Sequence, residues 1–249
     1  CVPNFSEGRD PEVIDKITSA ITSVAGIRLL DISSGADANR TVVTFVGTPE
    51  DVIEAAYIGI EAASMNIDMS RQTGVHPRIG ATDVCPLVPV KGISIEETAE
   101  YARRLAGKVG NELKIPVYCY EYAAFSYERR SLEKIRRGGY EGLKEKLSSP
   151  DWKPDYGPSE WSEKIQRAGA VIIGARNYLI AYNINLATDS VEIARDIAAA
   201  VRESGRRDGG SAGISEGEAG NKLHSQGRLR KVKAIGWYIE EYGVAQISM

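Results

Sequence analysis

Val13, Ile14, Ile17, Ile21 and Val24 recur three or four residues apart, which puts them on one stripe of a helix. Asp10 stands where a cap belongs, Pro11 suits the first helical position, and Glu12 suits the positive end of the dipole. Gly26 stops that helix, and residues 1–5 before it read as a strand closed by Ser6, Glu7 and Gly8. Residues 27–33 and the β-branched run 40–46 are predicted strands, joined by the turn-rich loop 34–39. Thr48 then caps a helix to about residue 67, with Val52, Ile53, Ala56, Ile60 and Ala63 on its apolar face. Residues 69–83 are mostly loop, marked by Gly74, Pro77 and Gly80. A short strand is predicted at 84–90, and Pro86 and Pro89 confine it to an edge or a strand end. Ser94 and Glu97 form a capping box for a helix over 94–113. A strand at 116–120 and short helices at 131–137 and 140–147 follow, broken by Gly138 and Gly139. Residues 148–169 read as a long connection with three prolines, Pro150, Pro154 and Pro158.

A second block then begins with a strand at 177–187 and a helix to about 203 capped at Thr188 and Asp189. Residues 205–227 hold seven glycines and no apolar period, the pattern of a mobile loop. Strands at 232–240 and 244–249 form a hairpin around Glu241, Tyr242 and Gly243. The first block reads β-α-β-β-α-β and the second repeats β-α-β-β. The expected fold is α/β (α+β): a duplicated ferredoxin-like unit, its second copy incomplete, divided at residues 1–175 and 176–249. A copy left so exposes an edge, and the natural protein is expected to continue past Met249.

Composition narrows the function without naming it. The 249 residues are 43% hydrophobic and 26% charged, a globular balance. A net charge of 31 − 34 = −3 argues against electrostatic capture of nucleic acid or of a membrane surface. No apolar run approaches the roughly 18 residues of a membrane span. No leader pattern precedes Cys1, and the missing initiator Met suggests absent N-terminal residues. Cys1, Cys85 and Cys119 are odd in number and far apart, so no disulfide framework or metal site is expected, and a reducing cytoplasm fits. Dinucleotide, P-loop, zinc-protease and nucleophile-elbow motifs are all missing. The basic residues Arg228, Arg230, Lys231 and Lys233 can steer a polyanion or simply end a solvated strand.

Histidine is the side chain suited to proton transfer at neutral pH, and the chain has two. His224 lies in the glycine-rich loop. His76 lies in Gly74-Val75-His76-Pro77-Arg78-Ile79-Gly80, where Pro77 stiffens the backbone and glycines permit close approach. Arg78 is expected to keep its ring neutral; a structural histidine bonded to a backbone carbonyl is the competing reading. The loop Asp37-Ala38-Asn39-Arg40 presents a carboxylate, an amide and a guanidinium, or is an ordinary Asx turn. In 178–186, alternation puts Tyr178, Ile180, Tyr182, Ile184 and Leu186 toward helices and Asn183 and Asn185 on a small polar face. Val2, Asn4 and Ser6 share a weaker polar face. Two such faces in opposition would make a tunnel.

The stretches CVPNFSEGRDPEVIDKI, NRTVVTFVGTPE, IDMSRQTGVHPRIGATDVCPLVPVKG, YLIAYNINL and KVKAIGWYIEE, taken in order, resemble glutamate formiminotransferases. In animals that activity is the N-terminal part of a bifunctional formiminotransferase-cyclodeaminase; no all-helical cyclodeaminase region follows here. The resemblance implies two ferredoxin-like subdomains with sheets facing each other around a groove, and a homodimer. It implies transfer of the formimino group from N-formimino-L-glutamate to N5 of tetrahydrofolate, a co-substrate, with no metal. The family's catalytic histidine falls on His76, and its folate-binding segment on Gly157, Pro158 and Ser159 through Gly169. Chemistry suggests the remaining roles. Asp37 favours the cationic formimino group, with Asn39 beside it. Arg40, Arg78 and Arg176 grip carboxylates, and Asn183 and Asn185 hydrogen-bond the pterin or the tetrahedral intermediate. Formyl transfer on the same site and a non-catalytic folate- or polyanion-binding module are the alternatives.

Overall fold

The computed structural model describes residues 1–205 and 227–249, so the glycine-rich stretch with His224 lies outside the described residues. The chain divides into two compact units, Cys1–Tyr178 and Leu179–Met249.

The first unit carries strands β1 (Asn4–Phe5), β2 (Arg28–Gly35), β3 (Arg40–Val46), β4 (Thr82–Leu87), β5 (Val117–Glu121) and β6 (Val171–Ala175). They form one sheet in the order β2-β3-β1-β4-β6-β5. Among the first four each strand is antiparallel to its neighbours, with β1 between β3 and β4, as the ferredoxin-like reading requires. Helices α1 (Pro11–Thr22), α2 (Pro49–Asn66) and α3 (Ile95–Lys108) begin where the caps predict. Asp10 accepts from the backbone N–H groups of Glu12 and Val13, and both halves of the Ser94/Glu97 capping box are made. Their apolar stripes bury Ile17, Ile21, Ile60 and Leu105 against Phe5 and Phe45 of the sheet. Helices α4 (Leu132–Arg136), α5 (Leu143–Ser148) and α6 (Glu163–Ala168) supply Ile135, Leu143 and Ile165 to a second core with Tyr118 and Ile172. The predicted helix to residue 113 leaves the α-helical pattern at Lys108 and closes in a wider π turn, with Lys114 left-handed.

Of the two places expected for Pro86, a strand end holds and an edge does not: it is the penultimate residue of β4, which lies in the interior of the sheet, between β1 and β6. The Pro86 carbonyl accepts from Val2 N–H at 3.1 Å, and the Asn4 side-chain amide donates to the Val2 carbonyl at 2.8 Å. Asn4 thus supplies the hydrogen bond that a proline cannot. The connection 148–169 is not wholly irregular either: Ser162 caps α6, and β6 follows at once, parallel to both β4 and β5. Its run Val-Ile-Ile-Gly-Ala is apolar throughout because both faces are buried.

The second unit is β7 (Asn183–Asn185), α7 (Val191–Val201), β8 (Ile235–Ile239) and β9 (Val244–Ser248), with antiparallel order β7-β9-β8. That repeats the relation of β1, β3 and β2 and is the duplication read from element order. Ala194 and Ala198 of α7 pack on Ala245 and Ile247. The helix is capped by Ser190, one residue beyond the expected pair. The strand predicted over 177–187 shrinks to three residues. Tyr182 exchanges two backbone hydrogen bonds with Met249, and residues before it have no strand beside them among the described residues. Tyr178, Ile180 and Tyr182 therefore stand exposed rather than meeting helices.

Candidate active site

Two loops meet at the β1–β3–β4 end of the first sheet. Asn39 sits in the left-handed region at φ 46°, which asparagine tolerates. It spends its whole side chain there: Gly8 N–H donates to Oδ1 at 2.9 Å, and Nδ2 donates to the Thr73 carbonyl at 2.8 Å. Gln72 donates to the Asn39 carbonyl at 3.1 Å, and Val75 N–H to the Asp37 carbonyl at 3.2 Å. The Asp37–Arg40 turn and the His76 loop are thereby fastened together. Asn39 is scaffolding in this arrangement; Asp37 stays half-buried beside it.

The other side of the His76 loop is fixed by α6 and β6. Ala81 N–H donates to the Ala168 carbonyl at 2.8 Å, and Ala170 N–H to the Ile79 carbonyl at 3.1 Å. Gly80 and Gly169 pair directly. A Cβ on Gly80 would lie 2.1 Å from the Ala170 carbonyl oxygen, so only glycine lets these backbones approach. Gly169, the end of the expected folate segment, is thus brought to the His76 loop. Its beginning is farther away: Tyr156 pairs with Val117, Gly157 packs against the Ile115 carbonyl at φ 81°, and Pro158 and Ser159 follow half-buried.

Beneath the loop lies Asp83, fully buried in β4, a residue the sequence reading did not single out. Its Oδ1 accepts from Ile79 N–H at 3.1 Å and from Arg136 Nε at 3.2 Å. Its Oδ2 accepts from Arg40 Nη1 and Arg136 Nη2, both at 2.7 Å. Arg40 Nε also donates to Asn4 Oδ1 at 3.0 Å. Burial works to raise the Asp83 carboxyl, but Arg136 and Arg40 outweigh it and hold the group below the usual carboxylate range. A charged residue in the otherwise apolar run Thr-Asp-Val-Cys-Pro-Leu was the available signal for Asp83; Arg136, on a short polar helix, had none.

His76 Nδ1 lies 2.7 Å from the Pro77 carbonyl oxygen. A carbonyl only accepts, so Nδ1 is assigned the hydrogen and Nε2 is the basic nitrogen. The ring is half-buried at the surface. Desolvation first, then Arg40 and Arg136, push its pKa down to about 3, with Asp83 and the Pro77 bond opposing. The guanidiniums that keep it neutral are therefore not Arg78, as expected. Arg78 turns away to Gln72 Oε1 at 2.7 Å and to Glu141 at 2.8 Å.

The remaining candidates belong to other elements. Arg176 follows β6, where its N–H donates to the Leu87 carbonyl. Leu87 is four residues along β4 from Asp83, about 13 Å at 3.3 Å per residue. Asn183 and Asn185 belong to the second unit, both exposed. Asn185 Oδ1 accepts from Gln246 Nε2 at 2.8 Å, and Gln246 Oε1 from Trp237 Nε1 at 3.0 Å, an amide ladder across the three strands. A cleft of about 500 Å³ beside Arg9, Asn39, Gln72 and Thr73 does not include His76 in its wall. Among the described residues, no three His, Cys, Asp or Glu side chains group to hold a metal, and no helix is long and apolar enough to cross a membrane.

Known proteins match the chain along its whole length. The family model described as the formiminotransferase domain, N-terminal subdomain, matches residues 1–176, and that described as the formiminotransferase domain matches residues 181–249. Formimidoyltransferase-cyclodeaminase of Sus scrofa is 46% identical over 248 residues, all of this chain, and that of Dictyostelium discoideum is 43% identical over 249. The chain spans only 42% and 43% of the length of those two relatives. Glutamate formimidoyltransferase of Streptococcus pyogenes serotype M1 is 42% identical over 250 residues, and the chain spans 75% of it. With both parts of the domain matched in order and that relative covered over three quarters of its length, this chain belongs to the formiminotransferase family.

Proposed function

We propose that this chain moves the formimino group of N-formimino-L-glutamate to N5 of tetrahydrofolate. The observation that carries the reading is His76: a half-buried imidazole, oriented by the Pro77 carbonyl and held uncharged by burial and two arginines. Relatives named glutamate formimidoyltransferase support the choice of reaction.

In this mechanism N5 attacks the formimino carbon, and a tetrahedral intermediate forms. His76 Nε2 takes the N5 proton and returns it to the glutamate nitrogen as the old carbon–nitrogen bond breaks. The products are 5-formiminotetrahydrofolate and glutamate. Asp37 is assigned to the cationic formimino group, and Asp83, the more buried carboxylate, to the two guanidiniums it holds. The segment from Gly157 to Gly169 is assigned to folate. Arg40 is assigned to a substrate carboxylate. Arg78 and Arg176 are not used: the first is paired with Glu141, and the second lies at the far end of β4. The working form is proposed as a cytoplasmic homodimer, which sedimentation of the purified protein tests.

The decisive assay uses the natural-length protein with His76→Ala. Positioned proton transfer contributes about 10²- to 10⁴-fold, so turnover should fall by that factor while tetrahydrofolate binding persists. Undiminished turnover without the imidazole would overturn the mechanism. Running formimino and formyl donors side by side identifies the group transferred.

A further inference from the structure

One carboxylate answers two guanidiniums below His76. Arg40 and Arg136 both pair with Asp83, and neither has another ion-pair partner among the described residues. The three side chains are only 9%, 13% and 0% exposed and together carry a net charge of +1, with no further ion-pair partner among the described residues. Burying an unpaired charge is expensive. A neutral residue at 136 would have left a balanced Arg40–Asp83 pair, so the second guanidinium is not needed to satisfy Asp83.

The donors left over point the same way. Arg40 uses Nε on Asn4 and Nη1 on Asp83; Arg136 uses Nε and Nη2 on Asp83. Arg40 Nη2 and Arg136 Nη1 make no hydrogen bond among the described residues. They are not sealed in either, since the fully buried polar side-chain atom left without a partner there is Thr82 Oγ1. A backbone contact holds the chain just past α4 against the His76 loop independently of charge: Tyr140 N–H donates to the Arg78 carbonyl at 2.9 Å. Ile79 N–H also shares Asp83 Oδ1 with Arg136.

We infer that Arg40 and Arg136, braced side by side by Asp83, form a binding site for a carboxylate of a glutamate moiety next to His76. The choice of glutamate rests on the proposed transfer reaction; the anion site rests on the charge imbalance and the unused guanidinium donors. Guanidiniums suit carboxylates because their planar fork donates two parallel bonds. The bound anion restores neutrality and relieves the repulsion that both arginines exert on a protonated His76 ring. Substrate arrival thus strengthens the base it needs. Both the donor and the folate tail carry such carboxylates.

The test follows the His76 ring by NMR in the natural-length protein, with His76→Ala assigning its signal. Adding L-glutamate should shift the signal saturably and move the ring's titration midpoint upward. Arg136→Gln should keep its melting temperature, because the Arg40–Asp83 pair stays balanced, yet bind L-glutamate at least tenfold more weakly. Arg136→Lys should fall between the two. A response to p-aminobenzoyl-L-glutamate but not to L-glutamate would support the site and assign it to the folate tail. If neither compound moves the ring, or if Arg136→Gln binds as the parent does, the site is wrong. A variant that unfolds shows Arg136 to be structural and also overturns it. Transfer assays on the same samples judge the reaction separately: Arg136-dependent binding without transfer sinks the reaction and leaves the site standing.

Discussion

Burial and two guanidiniums act on His76 in one direction, and the size of the effect decides which pH behaviour to expect. A pKa of about 3 keeps the free enzyme's base uncharged from about pH 5 to about pH 8. The kcat/KM profile should therefore show no acid limb near 6.5, the ordinary histidine value. A limb at 6.5 that disappears in Arg136→Gln would contradict this account. The residue was legible in the sequence because histidines are scarce and this one sits between Gly74 and Pro77. The groups that set its charge were not legible. Arg40 is 36 residues away in the chain and Arg136 is 60 away, whereas the adjacent Arg78 is drawn off by Gln72 and Glu141.

At the level of elements, local rules located most helices and strands, and failed where a distant side chain relieved a local penalty. Pro86 reads as an edge or strand-end residue; it stands at the end of an interior strand, where Asn4 donates to Val2, the bond the proline ring withholds. Asn4 also accepts from Arg40, so Asn4→Ala removes two hydrogen bonds at once. Urea unfolding should show a loss of about 1–3 kcal/mol. Gly80→Ala tests the other flank of the His76 loop: its Cβ would meet two carbonyl oxygens, at 2.1 and 2.8 Å. Destabilisation of at least about 2 kcal/mol, with α6 and β6 displaced, is expected from such overpacking. Strand β6 escaped the sequence reading because both of its faces are covered, leaving no alternation to find.

Over the whole molecule, linkage ties the site to stability. The unfolded chain takes up a proton on His76 from about 6.5 downward, whereas the folded chain stays unprotonated to about 3. In that window the unfolded state binds more protons, so stability rises with pH. It is complete above 6.5 and is lost as pH falls toward 3. Replacing His76 with Gln should flatten that part of the profile, measured by thermal melts across pH. The core makes a second global prediction. Burial raises the thiols of Cys85 and Cys119 to about 12, so a thiol reagent at neutral pH should leave both untouched until the protein unfolds.

Most of the elements and caps, the repeated β-α-β-β order and the catalytic candidate follow from the sequence alone, because helical period, cap chemistry and turn residues act over a few positions. The sandwiching of β6, the interior place of a proline strand and the shortening of β7 required the tertiary structure. So did the Asp83 junction that links residues 40, 83 and 136. In each case the deciding partner is far away in the chain, and burial, which sets the strength of charges and hydrogen bonds, exists only after the chain has folded.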